Sequence, residues 1–194
     1  PIFIYYLKKR NIQYLEKKYS GQNIVLIAES YSGHIAAHLA LNGRLQIQQM
    51  IIMASFLENP TKLTQLEKLF PTSLIKNPPI PTIALGKLLF AEHATDELIQ
   101  LFKQAMSDVT SEQLAQRIRD MRSLQLPTEK IELPTLYMQA SHDWFVPPKD
   151  LQSFQKCFTQ LEETKVSGSH LIAQTNADEC ARQINNFIKK AQQG

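Results

Sequence analysis

Three residues of this chain are of the types that nucleophilic acyl chemistry needs, in an order that suits it. Ser30 stands in Ala28-Glu-Ser-Tyr-Ser-Gly33, Asp143 in Ser141-His-Asp-Trp-Phe-Val-Pro-Pro148, and His170 in Ser167-Gly-Ser-His-Leu-Ile172. A serine hydroxyl is a weak nucleophile until a base takes its proton, and a histidine serves best as that base when a carboxylate holds its tautomer. One arrangement that meets this need places the serine on a sharp strand-to-helix turn, the acid after a later strand and the histidine after the last strand. Such a turn crowds the backbone and requires small residues two positions before and after the serine. Ala28 and Ser32 fill those places, which makes the stretch a degenerate Gly-x-Ser-x-Gly. Ser32 is the competing hydroxyl, but it occupies the second small position, so Ser30 is the better nucleophile.

Each residue also has a plainer reading. Ser30 could cap the helix that follows, Asp143 could form a turn, and His170 could be a solvated loop residue. Joint order and placement favour the chemical reading.

The elements that must position these residues alternate. Residues 1–6 are apolar and β-branched or aromatic, as a buried strand is. A helical pattern through Ile12, Tyr14, Leu15 and Tyr19 ends at Ser20-Gly21. Residues 23–28 lack polar alternation, which predicts a central parallel strand covered on both faces. Residues 32–41 read as a helix whose small residues Gly33, Ala36, Ala37 and Ala40 let it lie close to a sheet, and Asn42-Gly43 stops it. Residues 49–55 complete a βαβ unit. Between 57 and 127 the alternation breaks down into an insertion of short helices, the longest over 95–106 and 110–124, the latter opened by a Thr110-Ser-Glu-Gln113 capping box. A strand over 135–140, a helix over 149–158, a strand over 163–166 and a helix from 176 or 177 to 191 follow.

With 194 residues, 43% of them hydrophobic, the chain is a folding sequence and a single domain by default. Its 21 basic and 18 acidic residues leave a net charge of +3 with no basic stripe, which disfavours nucleic acid as a partner. Cys157 and Cys180 have neither zinc-site nor disulfide-framework spacing. No stretch reaches the roughly 18 apolar residues of a membrane span, and no basic segment precedes the apolar opening, so the default location is cytoplasmic. The absence of an initial methionine suggests a truncated sequence. His34 and His38, four apart, lack the intervening glutamate and third ligand of a zinc site.

Residues 24–40, the segment 134–148 with its Ser-His-Asp-x-x-Val-Pro core, and residues 168–172 together resemble the α/β-hydrolase superfamily, in particular bacterial carboxylesterase-like members. The resemblance implies a mostly parallel sheet with flanking helices whose N-terminal strands are missing. It divides the chain into a first part of the hydrolase core (1–56) bearing the nucleophile elbow, a helical cap (57–127), and a second part of the core (128–194) bearing the acid and histidine. It implies hydrolysis of a small-molecule carboxylic ester or thioester through an acyl-serine, with neither metal nor organic cofactor. His170 would deprotonate Ser30, Asp143 would orient the imidazole, and the backbone N–H of Tyr31 would be one oxyanion donor. The second donor would come from a loop upstream of this sequence. Glu29, Tyr31, Phe56 and Trp144 are candidates to line the substrate pocket. Because both elbow glycines are replaced, a non-catalytic binding protein on the same fold is the alternative.

Overall fold

The computed structural model describes residues 12–60, 64–65 and 81–191. The strand expected over 1–6 and much of the insertion's first half lie outside them. Helical turns cover 12–18, and the remaining elements in chain order are β1 (Asn23–Glu29), α1 (Tyr31–Asn42), β2 (Gln46–Met53), α2 (Thr82–Phe90), α3 (Asp96–Ser107), α4 (Ser111–Arg122), β3 (Thr135–Ala140), α5 (Leu151–Cys157), β4 (Leu161–Val166), α6 (Ile172–Thr175) and α7 (Ala177–Ala191). The four strands form one sheet in the order β1-β2-β3-β4, and every pair is parallel. Among the described residues this is a four-stranded parallel sheet with helices packed on both faces.

The sheet is buried on both faces at its centre, where the consecutive apolar residues Met50–Met53 of β2 and Leu136–Met138 of β3 are all buried. Met50 and Ile52 of β2 and Tyr137 of β3 join α1 and α5 in one core through Ala36, Ala37, Leu39 and Phe154. Their alternates Ile51, Met53, Leu136 and Met138 join Ile172, Cys180 and Phe187 on the other face. Each fully buried aliphatic side chain of this kind contributes about 1.5–3 kcal/mol, so neither face can turn to solvent without large loss.

The expected central place of β1 depends on a neighbour outside the described residues. Among the described residues β1 is an outer strand, partnered by β2, and its side chains alternate: Ile24, Leu26 and Ala28 pack on the core, while Val25 and Ile27 are 38% and 51% exposed. An apolar run tells what both faces can accept, and the neighbours actually present decide what they receive. β2 also starts earlier than expected, at Gln46, because the ladder to β1 carries polar residues with it (Asn23 opposite Gln46).

In the insertion, Thr110 caps α4 as expected: its hydroxyl accepts from Gln113 N–H at 3.2 Å, and the Gln113 side chain accepts from Thr110 N–H at 2.9 Å. α2, α3 and α4 meet the core through a third apolar cluster, in which Leu89, Phe90, Ile99, Met121 and Leu124 pack with Phe56, Phe145 and Val146. That cluster lies beside the strand ends that carry the candidate residues.

Candidate active site

Ser30 is the single residue between β1 and α1, at φ 54°, ψ −127°. A non-glycine residue there stores strain of about 1–3 kcal/mol, so its surroundings must over-determine it. They do. Ser30 N–H donates to Met53 O at 2.9 Å, continuing the sheet, and Ser30 O accepts from Gly33 N–H at 3.1 Å and from the Ser55 hydroxyl at 2.6 Å. Ser32 braces the turn from within: its Oγ accepts from Glu29 N–H at 2.8 Å and donates to Glu29 O at 2.7 Å. With both roles spent on the backbone, Ser32 is unsuited to be the nucleophile. The Ser30 hydroxyl makes no capping hydrogen bond to α1 and is directed instead at His170, 2.7 Å from its Nε2.

Asp143 is engaged through both of its carboxylate oxygens. Its Oδ1 forms the turn by accepting from Phe145 N–H at 2.8 Å and Val146 N–H at 2.9 Å, while Oδ2 meets His170 Nδ1 at 2.7 Å. Three donors on a carboxylate whose side chain is 2% exposed leave it one orientation. A carboxylate only accepts, so Nδ1 of His170 carries the proton and Nε2 is left to accept from the Ser30 hydroxyl. The edge-on ring of Phe145, 5.3 Å away between centroids, shields the imidazole.

The loop bearing His170 is fastened to the loop bearing Asp143. Ser141 N–H donates to Val166 O at 3.0 Å, His142 N–H to Gly168 O at 2.9 Å, and Gly168 N–H to Ser141 Oγ at 3.2 Å. Gly168 sits at φ 121°, where a side chain would be strained, and a Cβ there would stand 3.0 Å from the Asn176 amide. His142 pairs with the Ser141 hydroxyl at 2.8 Å and stays out of the Ser30–His170–Asp143 line.

The four residues expected to line a pocket fall in different places. Tyr31 and the buried Phe56 lie together with ring centroids 6.4 Å apart, beside the cluster shared with α2–α4. Burial first, and then the Asp120 carboxylate, push the Tyr31 phenol above its ordinary range, so it remains a neutral hydroxyl. Its backbone N–H belongs to the first turn of α1, where the helix itself supplies no acceptor. Trp144 is 40% exposed and stands edge-on to Phe145, 5.3 Å between ring centroids. Glu29 uses both carboxylate oxygens on the protein, accepting from Ala173 N–H at 3.2 Å and from the Gln174 side-chain amide at 3.0 Å.

Ser55 was not anticipated. It is fully buried after β2, its hydroxyl holds Ser30 O, and its own carbonyl accepts from Tyr137 O–H at 2.9 Å. Burial pushes the Tyr137 phenol upward, which keeps that donor in place. No local signal marks Ser55, because its partner is 25 residues away.

His34 and His38 pair with each other. His34 Nδ1–H donates to Leu57 O at 2.9 Å, and the two Nε2 atoms are 3.1 Å apart. Among the described residues no group of three or more His, Cys, Asp or Glu could hold a metal ion, and no helix is long and apolar enough to cross a membrane.

The profile of the serine aminopeptidase S33 family matches residues 9–167, well over half of the chain. Solved structures similar to this one include an esterase from Thermogutta terrifontis, in a malate-bound form (17% identity, TM-score 0.67, covering 87% of this chain and 65% of that one). They also include the enol-lactonase from Burkholderia xenovorans LB400 (14%, 0.73, 96% and 73%) and MenH from S. aureus (20%, 0.71, 96% and 75%). This chain therefore spans less than two thirds of the Thermogutta esterase. No curated protein matches the sequence.

Proposed function

Because the chain belongs to the serine aminopeptidase S33 family and has the α/β-hydrolase fold, we propose that it is the catalytic part of a serine hydrolase that cleaves a small carboxylic ester or thioester through an acyl-serine. The observation that carries this reading is the continuous line from Ser30 Oγ through the His170 ring to Asp143, with 2.7 Å at each step.

Along that line, His170 Nε2 takes the Ser30 proton as Oγ attacks the carbonyl carbon. Asp143 stays ionised and stabilises the imidazolium that forms. The oxyanion develops at the N-terminus of α1, where Tyr31 N–H donates to it, and a single such donor is worth on the order of 10²- to 10³-fold in rate. Collapse of the tetrahedral intermediate expels the alcohol or thiol, which leaves with the proton from His170. Water, deprotonated by the same nitrogen, then attacks the acyl-serine and restores Ser30. The apolar cluster around Tyr31, Phe56 and Phe145 suits an apolar acyl group, with residues 57–127 acting as a helical cap over it.

The non-catalytic alternative drew on the two replaced elbow glycines. Since the turn accommodates Ala28, and Ser32 braces it, that replacement no longer favours it. The test is to treat the full-length protein with a fluorophosphonate and map the adduct. Labelling at Ser30, with turnover of short p-nitrophenyl esters, is expected. A folded protein that stays unlabelled would overturn the reading.

A further inference from the structure

Ser30 and His170 are brought together from opposite sides of the described sheet. β1 delivers the serine, the loop after β4 delivers the histidine, and two strands separate them. No ladder hydrogen bond can register one against the other, so their 2.7 Å approach needs another constraint. Asp143, from the end of β3, fixes the imidazole from behind, but it says nothing about how far the histidine loop stands from the elbow.

Glu29 spans that distance. It is the last residue of β1 and the immediate neighbour of Ser30. Its carboxylate accepts from the backbone N–H of Ala173 and from the side-chain amide of Gln174, the third and fourth residues after His170. The segment it grips is stiff. Thr175 N–H and Thr175 Oγ1 both bond to Leu171 O, at 3.1 and 2.9 Å, Asn176 Nδ2 bonds back to Ser167 O at 2.6 Å, and Ile172 is fully buried in the core. The other end of the link is stiff too, because Ser32 holds both the N–H and the carbonyl of Glu29. A rigid bridge from Glu29 to 173–174 therefore sets where His170 stands relative to Ser30.

We propose that Glu29 is a positioning residue that holds His170 at hydrogen-bonding distance from Ser30. For its effect on rate the assignment rests on the hydrolase reading above; for its effect on geometry it does not. It replaces a pocket-lining role for Glu29, since both oxygens are already engaged within the protein.

The test compares Glu29→Ala and Glu29→Gln with the parent in the full-length protein. Glutamine keeps an oxygen able to accept from Ala173 N–H, whereas alanine leaves that donor without its carboxylate. For Glu29→Ala, the fluorophosphonate labelling rate and kcat per folded molecule should fall together on the order of 10²-fold, the effect of a displacement near 1 Å. KM should be unchanged, and Glu29→Gln should recover most of the loss. In parallel, the His170 Nδ1 proton, followed by NMR, should lose its sharp protected signal in Glu29→Ala and regain it in Glu29→Gln. Unchanged labelling and an unchanged imidazole signal in Glu29→Ala would overturn the proposal, as would a rise in KM at constant kcat, which marks contact with substrate. A parent protein that is not labelled at all removes the hydrolase reading, and the imidazole signal alone then decides the role of Glu29.

Discussion

Gly33 and Ser55 share a space with no room for a methyl group: a Cβ on residue 33 would lie 2.0 Å from Ser55 Oγ and 2.8 Å from Ser55 Cβ. The close approach lets Ser55 reach under α1 to the carbonyl of Ser30. Gly33→Ala must therefore either push α1 off the sheet or displace Ser55. Overpacking of this kind costs about 1–3 kcal/mol, read as a fall of several degrees in Tm, together with slower fluorophosphonate labelling as the elbow loses its anchor. Adding Ser55→Gly, which removes both clashing atoms, should recover part of the stability and none of the labelling rate. Equal Tm values for the parent and Gly33→Ala would refute this packing account.

The two amide donors on Asp143 make the asparagine variant a clean probe. In Asp143→Asn the side-chain oxygen can still accept from Phe145 and Val146 N–H, but the NH₂ group then faces His170 Nδ1. The imidazole must answer with the other tautomer, whose Nε2–H points at Ser30 and accepts nothing. The fold should melt near the parent temperature while kcat falls on the order of 10⁴-fold. A fall of less than tenfold would show that the carboxylate does not set the tautomer.

Ser30 and Ser32 are separable by labelling. Ser30→Ala should abolish the fluorophosphonate adduct and lower kcat on the order of 10⁴-fold or more. Ser32→Ala loses two backbone bonds of the turn. It should be less stable, by about 1–3 kcal/mol, yet remain labelled at Ser30. Peptide mapping of the adduct decides between them.

Cys180 predicts an alkaline weakening of the fold. Burial, followed by the nearby Glu29 and Glu179 carboxylates, pushes its thiol from the ordinary 9.0 up to about 11. The native state then keeps a proton that the unfolded chain gives up. This contribution is intact below pH 9, declines between pH 9 and 11, and declines no further above that. Urea unfolding at pH 8 and pH 10.5 should show a smaller drop in stability for Cys180→Ala than for the parent. The native thiol should also resist iodoacetamide at pH 8, since both cysteines are buried. Rapid alkylation of Cys180 in the folded protein would contradict the burial argument.

Much of this architecture was legible in the residues because it is governed locally. The resumed strand–helix alternation after Pro134 predicts β3 over 135–140 and the structure has it there. Thr110 and Gln113 predict a capping box whose two bonds form within one turn. Ser30, Asp143 and His170 stood out for the same reason: each follows the end of a strand, so parallel strands alone bring all three to one edge of the sheet. Among the described residues β2 is the one partner of β1, and Val25 and Ile27 stand open on its other face, so its expected central placement rests on elements outside them.

What the residues determined by themselves, then, was the alternation of strands and helices and the order of the three candidate groups, both products of short-range pattern and chain direction. Tertiary structure alone decided how those groups are held. Ser55 reaches Ser30 across 25 residues, and Glu29 reaches Ala173 across 144. Neither partner carries a mark of the other in sequence, because a hydrogen bond between distant segments depends on where packing sets the backbone down. The strained φ of Ser30 belongs to the same class: Ala28-Glu-Ser-Tyr-Ser permits it, and the bond Ser30 donates to Met53 O, with those it accepts from Gly33 and Ser55, enforces it.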